Sequence, residues 1–198
     1  MDNLTPVILA SASPRRSELL TSMDIEFEVV PSHVEELLDG YDFIPDLCEA
    51  NARIKAEPIA ELHPECLVLA ADTMVYLEDI VYGKPTDLED AHQMISKLQG
   101  RTHQVSTGVS LIYHNEEINR SLSVITNVTF LTLSSKQISE YLNKIDPLDK
   151  AGGYAIQEYK ELISKKVSGS ISNVIGLPVE RLKEELKVMK ETKQTPND

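Results

Sequence analysis

A short apolar run, Val7-Ile8-Leu9, leads straight into Ser11-Ala12-Ser13-Pro14-Arg15-Arg16. These residue types at this spacing can bind phosphate. The stretch 5–10 suits a buried strand. Ser13 suits a helix N-cap and Pro14 the first helical position. Arg15 and Arg16 then fall in the first turn, where the helix dipole is positive and a cation is unfavourable. Two arginines at that pole are best understood if an anion sits between them. Free N–H groups, two serine hydroxyls and two guanidinium forks make a phosphate pocket. A solvated basic turn would use the same residues, and local sequence does not separate the two readings.

A second group of residues carries negative charge. In Leu67-Val68-Leu69-Ala70-Ala71-Asp72-Thr73 a carboxylate closes an apolar strand, where α/β folds place their ligands. Burying Asp72 unpaired would be costly, so a metal, a base or a hydroxyl should compensate. Asp72 is a metal ligand or a general base, or else a structural Asp capping the next turn. Glu35 and Glu36 follow the alternation from Ile25 to Val30. Paired acids in a loop are usually solvated, but at a strand end they could join Asp72 around a hard cation such as Mg²⁺.

Further candidates are spread along the chain. Lys55 lies in a helical stretch, and Lys84 is aimed by its neighbours Gly83 and Pro85. In Asp149-Lys150-Ala151-Gly152-Gly153-Tyr154-Ala155-Ile156-Gln157 the glycines permit close backbone approach. Gln157 offers a donor and an acceptor to a base edge. Ser168-Gly169-Ser170 and Asn173 to Pro178 read as turn chemistry. His33, His63, His92, His103 and His114 lack zinc-ligand spacing and read as surface or satisfied core residues.

The elements that must position these groups alternate. Strands are expected over 5–10, 25–30, 66–71 and 73–77, and helices over 14–23, 45–62 and 86–98. Leu47, Ile54 and Ile59 mark the apolar face of the second helix, and Leu88, Ala91, Met94, Ile95 and Leu98 that of the third. Segments 102–113 and 117–132 form a hairpin about His114-Asn115-Glu116. Ser135 caps a helix to about Asn143, 147–160 is a loop, 162–167 returns as a strand, and 178–189 is the last helix. From Glu191 onward the chain is polar. A long hairpin among alternating elements predicts a mixed α/β sheet.

Composition narrows the field. A chain of 198 residues makes one domain or two closely joined lobes. No apolar run approaches a membrane span. The start lacks the features of a signal peptide, and Cys48 and Cys66 form no CxxC pair, so the expected setting is the cytoplasm with buried thiols. A net charge of −13 argues against a stable nucleic-acid complex but leaves room for a nucleotide in a locally basic cleft.

Taken in order, Leu9-Ala10-Ser11-Ala12-Ser13-Pro14-Arg15-Arg16, Ala71-Asp72-Thr73, Gly83-Lys84-Pro85, Gly100-Arg101-Thr102-His103-Gln104-Val105, Asp149-Lys150-Ala151-Gly152 and Gly176-Leu177-Pro178-Val179 resemble the Maf family of nucleoside triphosphate pyrophosphatases, first named as septum-formation inhibitors. The resemblance runs from about Val7 to Leu186. It implies a fold like that of inosine-triphosphate pyrophosphatases: an elongated, curved mixed sheet flanked by helices, with a cleft between two lobes. One such domain would span 1–190, ahead of a polar tail over 191–198. The implied reaction splits a nucleoside triphosphate into monophosphate and pyrophosphate.

By the same resemblance Ser11, Arg15 and Arg16 match the phosphate-binding motif. Glu36 matches an acidic site residue, and Lys55 and Lys84 the two site lysines. Asp72 matches the general base. Thr73 and Gln157, with Arg15, match positions tied to substrate choice. A divalent metal, Mg²⁺ or Mn²⁺, would be held by Asp72 and Glu36. A homodimer is the ordinary expectation for such an enzyme. Gln157 looks like the branch acting on dTTP and UTP, whereas the branch acting on 7-methyl-GTP carries an acid there. Members commonly have Gln-Gly at this point, but here Glu158-Tyr159 follows Gln157, which leaves the base preference open. A regulator of cell division that binds nucleotide without turning it over would need the cations but not Asp72 and Glu36.

Overall fold

In the computed structural model, which describes residues 6–193, the chain starts with β1 (Val7–Leu9), all three residues buried, and turns into α1 (Pro14–Thr21) with Pro14 at its first position. The strand expected over 25–30 contracts to β2 (Glu28–Val29), parallel to β1. Next comes α2 (Ile44–Leu62), whose buried face is mostly small: Cys48, Asn51, Ala52, Ala56 and Ala60, with Leu47 and Ile59. Ile54 is only half-buried.

The two strands expected at 66–71 and 73–77 are one, β3 (Leu67–Leu77), so Asp72 lies in mid-strand rather than at an end. A tight turn with Glu78 at φ 58° folds β3 back into the short β4 (Ile80–Tyr82), which the sequence did not announce. Then α3 (Leu88–Leu98) begins at Asp87, whose side chain accepts the Asp90 N–H at 2.8 Å. It buries Ala91, Ile95 and Leu98 and leaves Leu88 exposed.

The long hairpin forms as expected from β5 (Thr102–Tyr113) and β6 (Ile118–Phe130) about His114–Glu116. Ser134, not Ser135, caps α4 (Ser135–Leu142), in a reciprocal box with Gln137. The strand expected at 162–167 is preceded by a single helical turn, α5 (Lys160–Ile163), and starts later as β7 (Ser164–Ser168). Ser170 caps a short α6 (Ile171–Ile175) in the segment expected to be turns. The last helix, α7 (Val179–Lys193), runs past the expected end at 189. Thr5 and residues 194–198 lie outside the described residues.

Among the described residues, seven strands make one mixed sheet in the order β2-β1-β3-β5-β6-β7, with β4 also paired to β3. Successive β3 residues face opposite sides. Val68 and Ala70 pack with Ala56 and Ala60 under α2, whereas Leu69 and Ala71 pack with Leu20 and Leu182 on the other face. A third cluster joins Val75, Ile95, Phe130, Tyr141 and Tyr154. Gly108 of β5, the partner of Asp72 in the ladder, lets α2 press onto the sheet. A Cβ there would stand 2.3 Å from the Cys48 carbonyl carbon. No helix among the described residues is long and apolar enough to cross a membrane.

His103 links this core to Tyr154. Its ring is fully buried, edge-on to Phe130 at 4.7 Å, with Nε2 2.9 Å from the Tyr154 hydroxyl. Nδ1 has no hydrogen-bond partner among the described residues, so the ring is a core residue only half satisfied there. Burial pushes its pKa down to about 4. The unfolded chain therefore takes up a proton near pH 6.5 that the folded one refuses until about pH 4. Stability gained at this group is present above that window and is lost as pH falls through it, by on the order of 3 kcal/mol. The urea midpoint of the wild type is expected to fall steadily from pH 7 to pH 4.5, and His103→Gln should flatten that slope. An unchanged slope would remove His103 as its source.

Candidate functional site

The site forms where β3 changes neighbours. Its first residues, Leu67 to Leu69, pair with β1, and its last, Val75 to Leu77, pair with β4 on the same side. Between them that edge has no strand, while β5 continues unbroken on the other. Asp72 and Thr73 sit in this gap and point to opposite faces. The gap opens into a cleft of about 680 Å³ lined by every expected site residue: Ser11, Arg15, Arg16, Glu36, Lys55, Asp72, Thr73, Lys84 and Gln157.

On the α2 side, Lys55 bridges the two carboxylates. Its Nζ is 2.7 Å from Asp72 Oδ1 and 2.6 Å from Glu36 Oε1. Lys55 and Asp72 are nearly enclosed, whereas about half of Glu36 is open to solvent. Burial works to raise the Glu36 pKa. The Lys55 hydrogen bond and the charges of Lys55, Lys84 and Arg16 outweigh it and hold the carboxyl below its ordinary value. Asn51, one turn before Lys55 and fully buried, reaches Asp72 Oδ2 at 3.4 Å. Sequence reading passed over Asn51 because nothing local marks it: it is one polar residue in a helix.

On the α1 side, the arginines do occupy the first helical turn, but Ser13 makes no side-chain cap. Arg16 is fixed by three acceptors. Nη1 donates to Ser11 Oγ at 3.2 Å, Nη2 to Thr73 Oγ1 at 3.2 Å and Nε to the Gly176 carbonyl at 3.0 Å. Withdrawal from water lowers its pKa from the ordinary value, and Asp72 and Glu36 oppose that shift. Thr73 Oγ1 lies 3.0 Å from Thr107 Oγ1, which donates to the Asn173 carbonyl at 2.8 Å. The segment expected to be simple turn chemistry thus closes this side of the cleft, through Gly176 at φ 130°.

Arg15 reaches the other wall. It meets Asp149 Oδ2 at 2.5 Å and the Asp149 carbonyl at 3.1 Å. Burial works to raise the Asp149 pKa, but the hydrogen bonds from Lys150 and Arg15 hold it below the ordinary value. The adjoining loop is anchored by Gly152, whose N–H donates to the Gly83 carbonyl at 2.9 Å. Lys84, next to Gly83, is exposed and has no ion pair or hydrogen bond among the described residues. Gln157 is exposed on the cleft wall, and Glu158 is not part of that wall.

The donor set suits a hard divalent cation. Two carboxylates converge on one point, now held by an ammonium, and each keeps a second oxygen beyond the one bound to Lys55. His63 and Cys66, read from sequence as ordinary surface or core residues, bring ligand atoms within 4.8 Å of one another and of Glu65, but none of the three lines the cleft.

The family model described as Maf-like protein matches residues 6–189. The dTTP/UTP pyrophosphatase of Akkermansia muciniphila is 46% identical over 176 residues, covering 89% of this chain and 92% of that protein. That of Myxococcus xanthus is 47% identical over 175 residues, covering 88% of each. The structure of the Staphylococcus aureus Ham1 protein is similar with a TM-score of 0.56 over 93% of this chain and 100% of that one, at 15% identity, which is a likeness of fold.

Proposed function

This chain belongs to the Maf-like protein family, and from that premise we propose that it hydrolyses nucleoside triphosphates, dTTP and UTP foremost, to the monophosphate and pyrophosphate. The observation that carries this reading is the meeting of Asp72 and Glu36 on Lys55, in the same cleft as Arg15, Arg16 and Lys84. Relatives 46% and 47% identical bear the name dTTP/UTP pyrophosphatase.

Each residue has a part in this reading. Arg15, Arg16 and Lys84 bind phosphate oxygens and neutralise the leaving pyrophosphate. Arg16 is preorganised by Ser11, Thr73 and Gly176, so it loses little freedom when a phosphate arrives. Asp72 orients the attacking water and takes its proton. Lys55 holds both carboxylates in register, and its charge favours the ionised form of Glu36. Asp72 and Glu36 would hold a divalent metal, Mg²⁺ or Mn²⁺, which when bound supplies Lewis-acid polarisation of phosphate oxygens. The cleft draws on residues from Ala10 to Gly176, which supports treating 1–190 as one unit of two lobes.

Base choice rests on Gln157. A glutamine donates to a pyrimidine carbonyl and accepts from the ring N3–H, whereas a carboxylate only accepts. Because Gln157 and not Glu158 lines the cleft, dTTP and UTP should exceed CTP, GTP and 7-methyl-GTP in kcat/KM by at least about tenfold, the discrimination of one well-placed polar contact. Pyrophosphate release measured across this panel with Mg²⁺ tests the reading. A preference for 7-methyl-GTP that Glu158→Ala removes would show that Glu158 is the reader. Binding without release from any of the five would favour a non-hydrolytic regulator of cell division.

A further inference from the structure

Glu36 sits on a segment with no regular structure between β2 and α2. Few bonds hold that segment in place. Among the described residues, the hydrogen bonds and ion pairs that tie 31–42 to the rest of the molecule are those of Glu36 with Lys55 and of Leu37 with Asn51. The second tie is the more constrained. Asn51 Oδ1 accepts the Leu37 N–H at 2.7 Å, and Nδ2 donates to the Leu37 carbonyl at 3.0 Å. A side-chain amide here does the work of a neighbouring strand, pairing both backbone groups of one residue. The same Nδ2 lies 3.4 Å from Asp72 Oδ2.

Asn51 is fully buried and Leu37 is 38% exposed, so the clamp is anchored from the core and grips the surface. Asn51 and Lys55 are four apart on one face of α2 and grip adjacent residues of the segment. Lys55 alone is a flexible stem with a point charge and does not fix the backbone that carries Glu36. The Asn51 amide does.

We infer that Asn51 is a positioning residue: by clamping the Leu37 backbone it sets the place of the Glu36 carboxylate relative to Asp72, and so the affinity of the carboxylate pair for a divalent cation. This rests on the functional reading above only for its catalytic consequence. The clamp itself is independent of what the cleft hydrolyses.

The experiment uses the full chain. Exchange of the Leu37 amide, the hydrogen-bonded backbone N–H of 31–42 among the described residues, should accelerate at least about tenfold in Asn51→Leu, with β5 and β6 unchanged. In the same variant the Mg²⁺ concentration for half-maximal pyrophosphate release from dTTP should rise, as in Glu36→Gln. In a Glu36→Gln background, Leu37→Pro, which leaves the 3.4 Å contact of Asn51 with Asp72 in place, should cost less than about a further twofold, because both changes remove the same placed carboxylate. A general loss of packing would instead multiply with Glu36→Gln and leave the Mg²⁺ requirement alone. Leu37→Pro deletes the clamped N–H from the exposed side and must reproduce the rise in Mg²⁺ requirement, whether or not Asn51→Leu folds. Unchanged exchange at Leu37 in Asn51→Leu, or losses of Leu37→Pro and Glu36→Gln that multiply, would overturn the inference. Should the wild type release no pyrophosphate, the functional reading fails and the exchange measurement alone decides the clamp.

Discussion

Asp72→Asn is expected to lower kcat for pyrophosphate release at least about a hundredfold, within the usual span of general-base contributions. The substitution keeps the size and outline of the side chain in a nearly closed space. It deletes the one charge in the gap of β3 that can take a proton from water. Lys55 retains Glu36 as a partner at 2.6 Å, so the local structure has reason to survive. Arg15, Arg16 and Lys84 are untouched, and nucleotide binding by equilibrium dialysis should stay within a few-fold of wild type. The division between kcat and binding is the informative result. Loss of both together would assign Asp72 to holding a cation that binding requires. Retention of more than about a tenth of the rate would remove it as the base.

Gly108→Ala should be the most damaging small change in the chain. The added carbon would fall 2.3 Å from the Cys48 carbonyl carbon and 2.4 Å from both its oxygen and the Glu49 nitrogen. These are backbone atoms of α2, and no rotamer relieves them. The helix must lift from β5, against an ordinary overpacking cost of about 1–3 kcal/mol that this site should reach or exceed. For a chain of this size a cost of about 1–3 kcal/mol lowers Tm by roughly 2–12 °C. Asn51 and Lys55 follow Cys48 on the same helix, so activity should drop even at temperatures where the variant is folded. Gly83→Ala, with nothing within 4 Å of the added carbon, is the control for stability. Equal melting temperatures for the two variants would mean that α2 is not held against Gly108.

What could be read in advance depended on whether a feature is local. Pro14 following Ser13, the periodicity of Ala91, Ile95 and Leu98, and the alternating run through β5 and β6 each specify their element within a few residues. Residues that line the cleft were legible too, because cations at a helix start or an acid in an apolar strand are locally unfavourable and ask for a ligand. The break expected at Asp72 came from the same logic misapplied. A buried carboxylate and a threonine interrupt an apolar pattern, but the strand continues because β5 pairs with it throughout and Lys55 and Asn51 satisfy the acid. β4 and α6 were missed because three and five residues are too few to show a period. Asn51, Asp149 and Thr107 gain their meaning from partners 14, 134 and 34 residues away, and no local pattern carries that.

The balance of charge in the cleft has a kinetic consequence. Arg15, Arg16, Lys55, Lys84 and Lys150 face Asp72, Glu36 and Asp149, a positive excess inside a chain of net charge −13. A triphosphate approaching from a distance meets the field of the whole acidic body and is repelled. Within about 8 Å, the screening length at physiological salt, it meets the cations instead. Added salt therefore eases the approach while loosening the grip, and the two changes oppose each other in kcat/KM. Turnover should hold nearly level across ionic strengths at which a uniformly basic phosphate-binding surface would lose most of its affinity.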